Sequence, residues 1–124
     1  MSNIIVMVVD DSVTIRKSAE MFLTKAGFDV VLVNDGLDAL ACIEEVNPDL
    51  VFIDVLMPNV DGLEAVQIIK RNSKFKNTPV IFLSSKDSEF DKAKGIMVGA
   101  SAYLTKPFTK EGIIGVVNEY VKAK

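Results

Sequence analysis

Apolar runs and amphipathic stretches alternate along this chain five times. The runs over 4–9, 29–33, 50–53, 79–83 and 101–104 are short and rich in Val, Ile, Leu and Phe. Unbroken apolar runs of this length suit strands of a parallel sheet covered on both faces. Between the first two, Ile15, Ala19, Phe22, Leu23 and Ala26 recur at helical spacing, which predicts a helix with one buried stripe. Gly27 stands where such a helix stops. Leu40, Ile43 and Val46 mark a second helix, ended before Asn47-Pro48. Leu63, Val66 and Ile69 mark a third. Ala93, Ile96, Met97 and Ala100 mark a fourth, with Gly99 near its end, and Ile113, Val117, Tyr120 and Val121 mark a fifth. Met7, Met21, Met57 and Met97 read as core or near-core, and the polar stretch 72–78 around Phe75 as a surface connection.

Five βα units with short connections predict an open, doubly wound α/β fold: a five-stranded parallel sheet with helices on both faces. With 124 residues, no linker and no repeat, the expectation is one domain over 1–124. The net charge of −3 and the lack of a basic block argue against nucleic acid as a partner. Cys42 is the sole cysteine, so there is no internal disulfide and no zinc ligand set, and its apolar surroundings predict a buried thiol. The absence of histidine removes Ser-His and Cys-His nucleophile pairs. The run at 4–9 is too short to insert in a membrane or to act as a leader, and a cytoplasmic location is expected.

The polar residues at the strand ends carry the chemistry. Asp10-Asp11 follows the first strand and Asp54 the third. In such folds ligands bind beyond the carboxyl ends of the strands. Parallel neighbours would therefore bring three carboxylates together, and like charges that close resist joint ionisation. An all-oxygen cluster of this kind suits a hard divalent cation such as Mg²⁺. Ser84 follows the apolar run of the fourth strand, and Lys106, before Pro107, follows the fifth. A carboxylate, a cation site, a hydroxyl and an ammonium together suit phosphoryl transfer.

The pair Asp10-Asp11, the block Asp54-Val55-Leu56-Met57-Pro58 with Asp61-Gly62, Ser84-Ser85, and Tyr103 with Lys106-Pro107-Phe108 resemble the receiver domain of bacterial two-component response regulators. The resemblance runs through the whole chain in order, with spacings of 44, 30 and 22 residues from Asp10 to Asp54 to Ser84 to Lys106. It implies a flavodoxin-like, CheY-like (βα)5 fold with strand order 2-1-3-4-5. It further implies that Asp54 accepts a phosphoryl group from a partner histidine kinase. Asp10, Asp11 and Asp54, with the backbone carbonyl of Leu56, would hold Mg²⁺. Lys106 would pair with Asp54 and then with the phosphoryl oxygens, Ser84 would hydrogen-bond the group, and Tyr103 would turn inward. Lys106-Pro107 would be cis. The face of the fourth helix, fifth strand and fifth helix would report the state to a downstream effector, as a monomer or weak dimer. The segments 82–87, 90–95 and 103–108 also look like the stand-alone regulators of type IV pilus twitching motility.

Simpler readings compete residue by residue. Asp11 or Ser12 could cap the first helix, which leaves the adjacent acid and Asp54 unexplained. Tyr103 fits a half-buried core aromatic as well as a switch residue. Arg16, Lys17, Lys25, Lys92 and Lys94 read as solvated helix faces. A haloacid-dehalogenase-like phosphatase needs a second acid where Ser12 stands, and a flavin carrier needs a phosphate-cradling loop where Asp10-Asp11-Ser12 has no glycine. A receiver that binds partners without phosphorylation is the remaining alternative, and it predicts a lost site residue.

Overall fold

In the computed structural model, residues 3–55, 57, 61–84 and 99–121 are described. The elements are β1 (Ile5–Val9), α1 (Val13–Lys25), β2 (Asp29–Val33), α2 (Gly36–Val46), β3 (Leu50–Asp54), α3 (Gly62–Arg71), β4 (Val80–Ser84), β5 (Ala102–Thr105) and a C-terminal helix (Lys110–Tyr120). All strand pairs are parallel and the sheet runs in the order β2-β1-β3-β4-β5. Of the fourth helix expected over 93–100, residues 93–98 lie outside the described residues, as do Leu56, Pro58 and Ser85.

Consecutive residues of each central strand face opposite ways, as a pleat requires. Met7, Val9, Val51, Ile53 and Phe82 pack with Ala39, Ile43, Val66 and Ile69 beneath α2 and α3. Val6, Val8, Leu50, Phe52, Ile81 and Leu83 pack with Ala19, Leu23, Ile113 and Val117 beneath α1 and the C-terminal helix. Because both faces are covered, no polar alternation survives in the sequence, which is why these strands read as solid apolar runs.

The helix boundaries follow the local chemistry. Ser12, Asp35, Asp61 and Thr109 are the N-caps, and each side chain accepts a backbone N–H of the first turn. After α1, Gly27 takes φ +95°, the left-handed region that favours glycine. Asn47 ends α2 with φ 51° and donates its N–H to Ile43 O at 2.8 Å. Two expectations are corrected. Met21 is 49% exposed, because it lies off the stripe of Ala19 and Leu23 that α1 buries. The connection after α3 is more than a surface loop, since Phe75 drops from it into the core and is 1% exposed.

Candidate functional site

Pairing carries β3 and β4 one residue further than the apolar runs suggest. Asp54 lies opposite Leu83 and Ser84 opposite Thr105, so both polar residues are the last of their strands rather than the first of their loops. That fixes their backbones in the sheet. Asp10 is held in a similar way just past β1, where its N–H donates to Val33 O at 3.1 Å.

Asp10 is fully buried and Asp54 and Ser84 nearly so, while Asp11 faces solvent. Each of the three aspartates offers a carboxylate oxygen, and these oxygens all lie within 4.8 Å of one another. Lys106 Nζ lies 3.2 Å from Asp10 Oδ2 and 3.3 Å from Asp54 Oδ2. One ammonium therefore bridges the carboxylates of β1 and β3. A buried carboxylate is tolerable when so paired and hydrogen-bonded. Asp10 meets both conditions, since its Oδ1 also accepts the Ser12 N–H at 2.9 Å. Lys106 is itself anchored, its N–H donating to Ser84 O at 2.7 Å, and its bond to Pro107 is cis, as expected.

Ser84 stands on the same rim with its hydroxyl buried, and among the described residues the Oγ has no hydrogen-bond partner. A buried polar atom of this kind is uncommon in native proteins, where such groups are normally satisfied. Tyr103 belongs to β5 but is half-buried against the core, its ring 5.5 Å from that of Phe82. Asp10, Asp11, Asp54 and Lys106 are thus brought together, Ser84 shares their rim, and Leu56 falls outside the described residues.

Arg16 was expected on a solvated face and is not there. Its Nη1 donates to Asp10 O at 2.6 Å and to Asn34 Oδ1 at 3.0 Å, tying the ends of β1 and β2 together. Its position one turn beyond the N-cap Ser12 was the available signal, because that turn overhangs the strand end. Cys42 is half-buried rather than buried. Burial first, then the nearby Asp38, pushes its thiol pKa up, which keeps it a poor nucleophile.

A donor set of three clustered carboxylates, all oxygen, fits Mg²⁺. Beside it stand a fixed ammonium and a buried hydroxyl, a combination able to receive and neutralise a phosphoryl group. The response regulator receiver domain model matches residues 6–118. Protein PilG of Pseudomonas aeruginosa is 54% identical over 94% of this chain and 86% of its own length. The transcriptional regulatory protein TrcR of Mycobacterium tuberculosis is 36% identical over 91% of this chain, which spans only 43% of that relative. Among solved structures, chemotaxis protein CheY4 of Vibrio cholerae superposes with a TM-score of 0.92 at 33% identity, over 97% of this chain and 100% of its own. The chain belongs to the response regulator receiver domain family. Among the described residues no helix is long and apolar enough to cross a membrane.

Proposed function

We propose that the chain is a single receiver domain over 1–124 that accepts a phosphoryl group from a histidine kinase on Asp54 and works as a protein switch rather than a turnover enzyme. The observation that carries this reading is Lys106 Nζ set between the buried carboxylates of Asp10 and Asp54. An Asp54 oxygen attacks phosphorus, the donor's P–N bond breaks, and an acyl phosphate forms on the side chain. Lys106 neutralises the incoming oxygens, and the Ser84 hydroxyl donates to one of them. Asp10, Asp11 and Asp54, joined on the family resemblance by the Leu56 carbonyl, would hold Mg²⁺, which would neutralise charge on the transferring group. Arg16 keeps the Asp10 peptide in place while this happens.

Acyl phosphate formation adds about −1.5 to −2 charges at one point of the rim. Lys106 and Ser84 answer that charge, and Tyr103, next along β5, turns inward. The signal leaves through the face that carries β5 and the C-terminal helix to an effector protein. We place it in chemotaxis or type IV pilus twitching motility, in the cytoplasm, as a monomer or weak dimer; the 54% identity to Protein PilG supports the receiver reading on which this rests.

Intact mass after incubation with Mg²⁺ and acetyl phosphate tests the reading. Wild type gains one phosphoryl group only with Mg²⁺, and Asp54→Ala gains none. A wild type left unmodified both by acetyl phosphate and by a histidine kinase would move the assignment to a receiver that binds partners without phosphorylation.

A further inference from the structure

Resting on that reading, we infer that Gly62 is a positioning residue for Asp54: the first residue of α3 is a seat on which the last peptide of β3 rests. A Cβ at Gly62 would lie 2.1 Å from Asp54 O, 2.9 Å from Val55 Cα and 3.0 Å from Asp54 C. No Cβ tolerates such contacts, and the obstacle is backbone, which cannot swing aside as a side chain would. The seat is also bonded, since Gly62 N–H donates to Val55 O at 2.8 Å.

Both sides of the seat are held. Asp54 belongs to β3, paired with β1 on one side and β4 on the other, and Val55 N–H donates to Leu83 O at 3.2 Å. The helix is fixed by Ala65, Val66 and Ile69 in the core and by the Asp61 cap, whose Oδ1 accepts the Glu64 N–H at 2.8 Å. A side chain at 62 must open the contact by about 1 Å to reach ordinary separation. A displacement of that size at a reacting group costs on the order of a hundredfold in rate.

Gly115 supplies the matched control, because a Cβ there meets nothing within 4 Å. The experiment measures phosphorylation rate with acetyl phosphate, and Mg²⁺ affinity from amide NMR shifts of Val55 and Lys106. Gly62→Ala and Gly62→Ser should be slower by tenfold to a hundredfold, on the order set by a 1 Å displacement, and bind Mg²⁺ more weakly. The two losses should match, because the clash is at Cβ and ignores what lies beyond it. Gly115→Ala should equal wild type. Leu23→Ala, destabilised on the far side of the sheet, should keep wild-type Mg²⁺ affinity, which separates displacement from lost stability. If Gly62→Ala does not fold, Asp61→Ala replaces it: loosening the cap should weaken Mg²⁺ binding severalfold.

Wild-type rate and affinity in Gly62→Ala, or in Asp61→Ala where that variant stands in, overturn the inference. A wild type that binds Mg²⁺ but accepts no phosphoryl group defeats the functional reading alone, and the affinity ratio then decides the role of Gly62. A wild type that does neither overturns both.

Discussion

At the amino-terminal end of the sheet, Asp49 Oδ2 accepts the Ile5 N–H at 2.8 Å, and Lys70 Nζ donates to the carbonyls of Lys76 and Thr78. Asn72 Nδ2 reaches Glu44 Oε1 at 3.1 Å, and Phe75 plugs the core beneath them. At the carboxyl end the polar groups are turned toward one another: two buried carboxylates share one ammonium, and the Ser84 hydroxyl has no partner among the described residues. Polar side chains at the first end complete backbone hydrogen bonding that the loops leave open, which is stabilising work. At the second end they hold charge in a fixed place. Damage at the two ends should therefore read out differently.

The largest expected effect is at the stabilising end. Phe75→Ala should lower the unfolding free energy by about 3–5 kcal/mol, the usual cost of truncating a buried aromatic. Mg²⁺ affinity, measured on the folded variant, should stay as in wild type. A fall in affinity alongside the lost stability would mean the two ends are not separable.

Next in size is the metal's own contribution. At a hundred times its dissociation constant, Mg²⁺ should stabilise the wild type by about 2.7 kcal/mol, seen as a higher urea midpoint. Asp11→Asn removes one of three clustered carboxylates at an exposed position and should lose most of that gain, with little change in the metal-free midpoint. Asp11 would be a structural residue instead if the metal-free protein collapsed and the Mg²⁺ response survived.

The smallest effect concerns Lys70. Burial lowers its pKa below the ordinary lysine value in the folded protein. Between that lowered value and the ordinary one, the unfolded chain binds more protons, so stability rises with pH through this window. At lower pH the cost of burying the charge is present in full. Urea midpoints across the alkaline range should rise more steeply in wild type than in Lys70→Met, and parallel curves would remove Lys70 from the account.

Much of the fold could be read in the sequence because burial on both faces leaves an unmistakable mark: 50–53 and 79–83 have no polar side chain at all. Asp10, Asp54, Ser84 and Lys106 were legible for a related reason, each being a polar residue that breaks such a run or closes the loop after it. What escaped depends on contacts distant in the chain. The place of Arg16 after the cap of α1 sets it over the end of β1 but does not say that it meets Asn34, and nothing near Asp49 says that it caps Ile5. Strand ends slipped by one residue because pairing with a neighbour, not local hydrophobicity, decides where a strand stops.

The sheet is one backbone layer thick, and adjacent residues of a strand serve different compartments. It therefore acts as a partition: a change in side-chain volume under α2 and α3 has a wall of hydrogen-bonded peptide between it and α1. Lys106, arriving from the far edge strand, clasps the ends of β1 and β3 across the rim of that wall. Such a layout lets the two helical coats drift independently while the clasp is kept. One scaffold can then be dressed for different partners without rebuilding its chemistry.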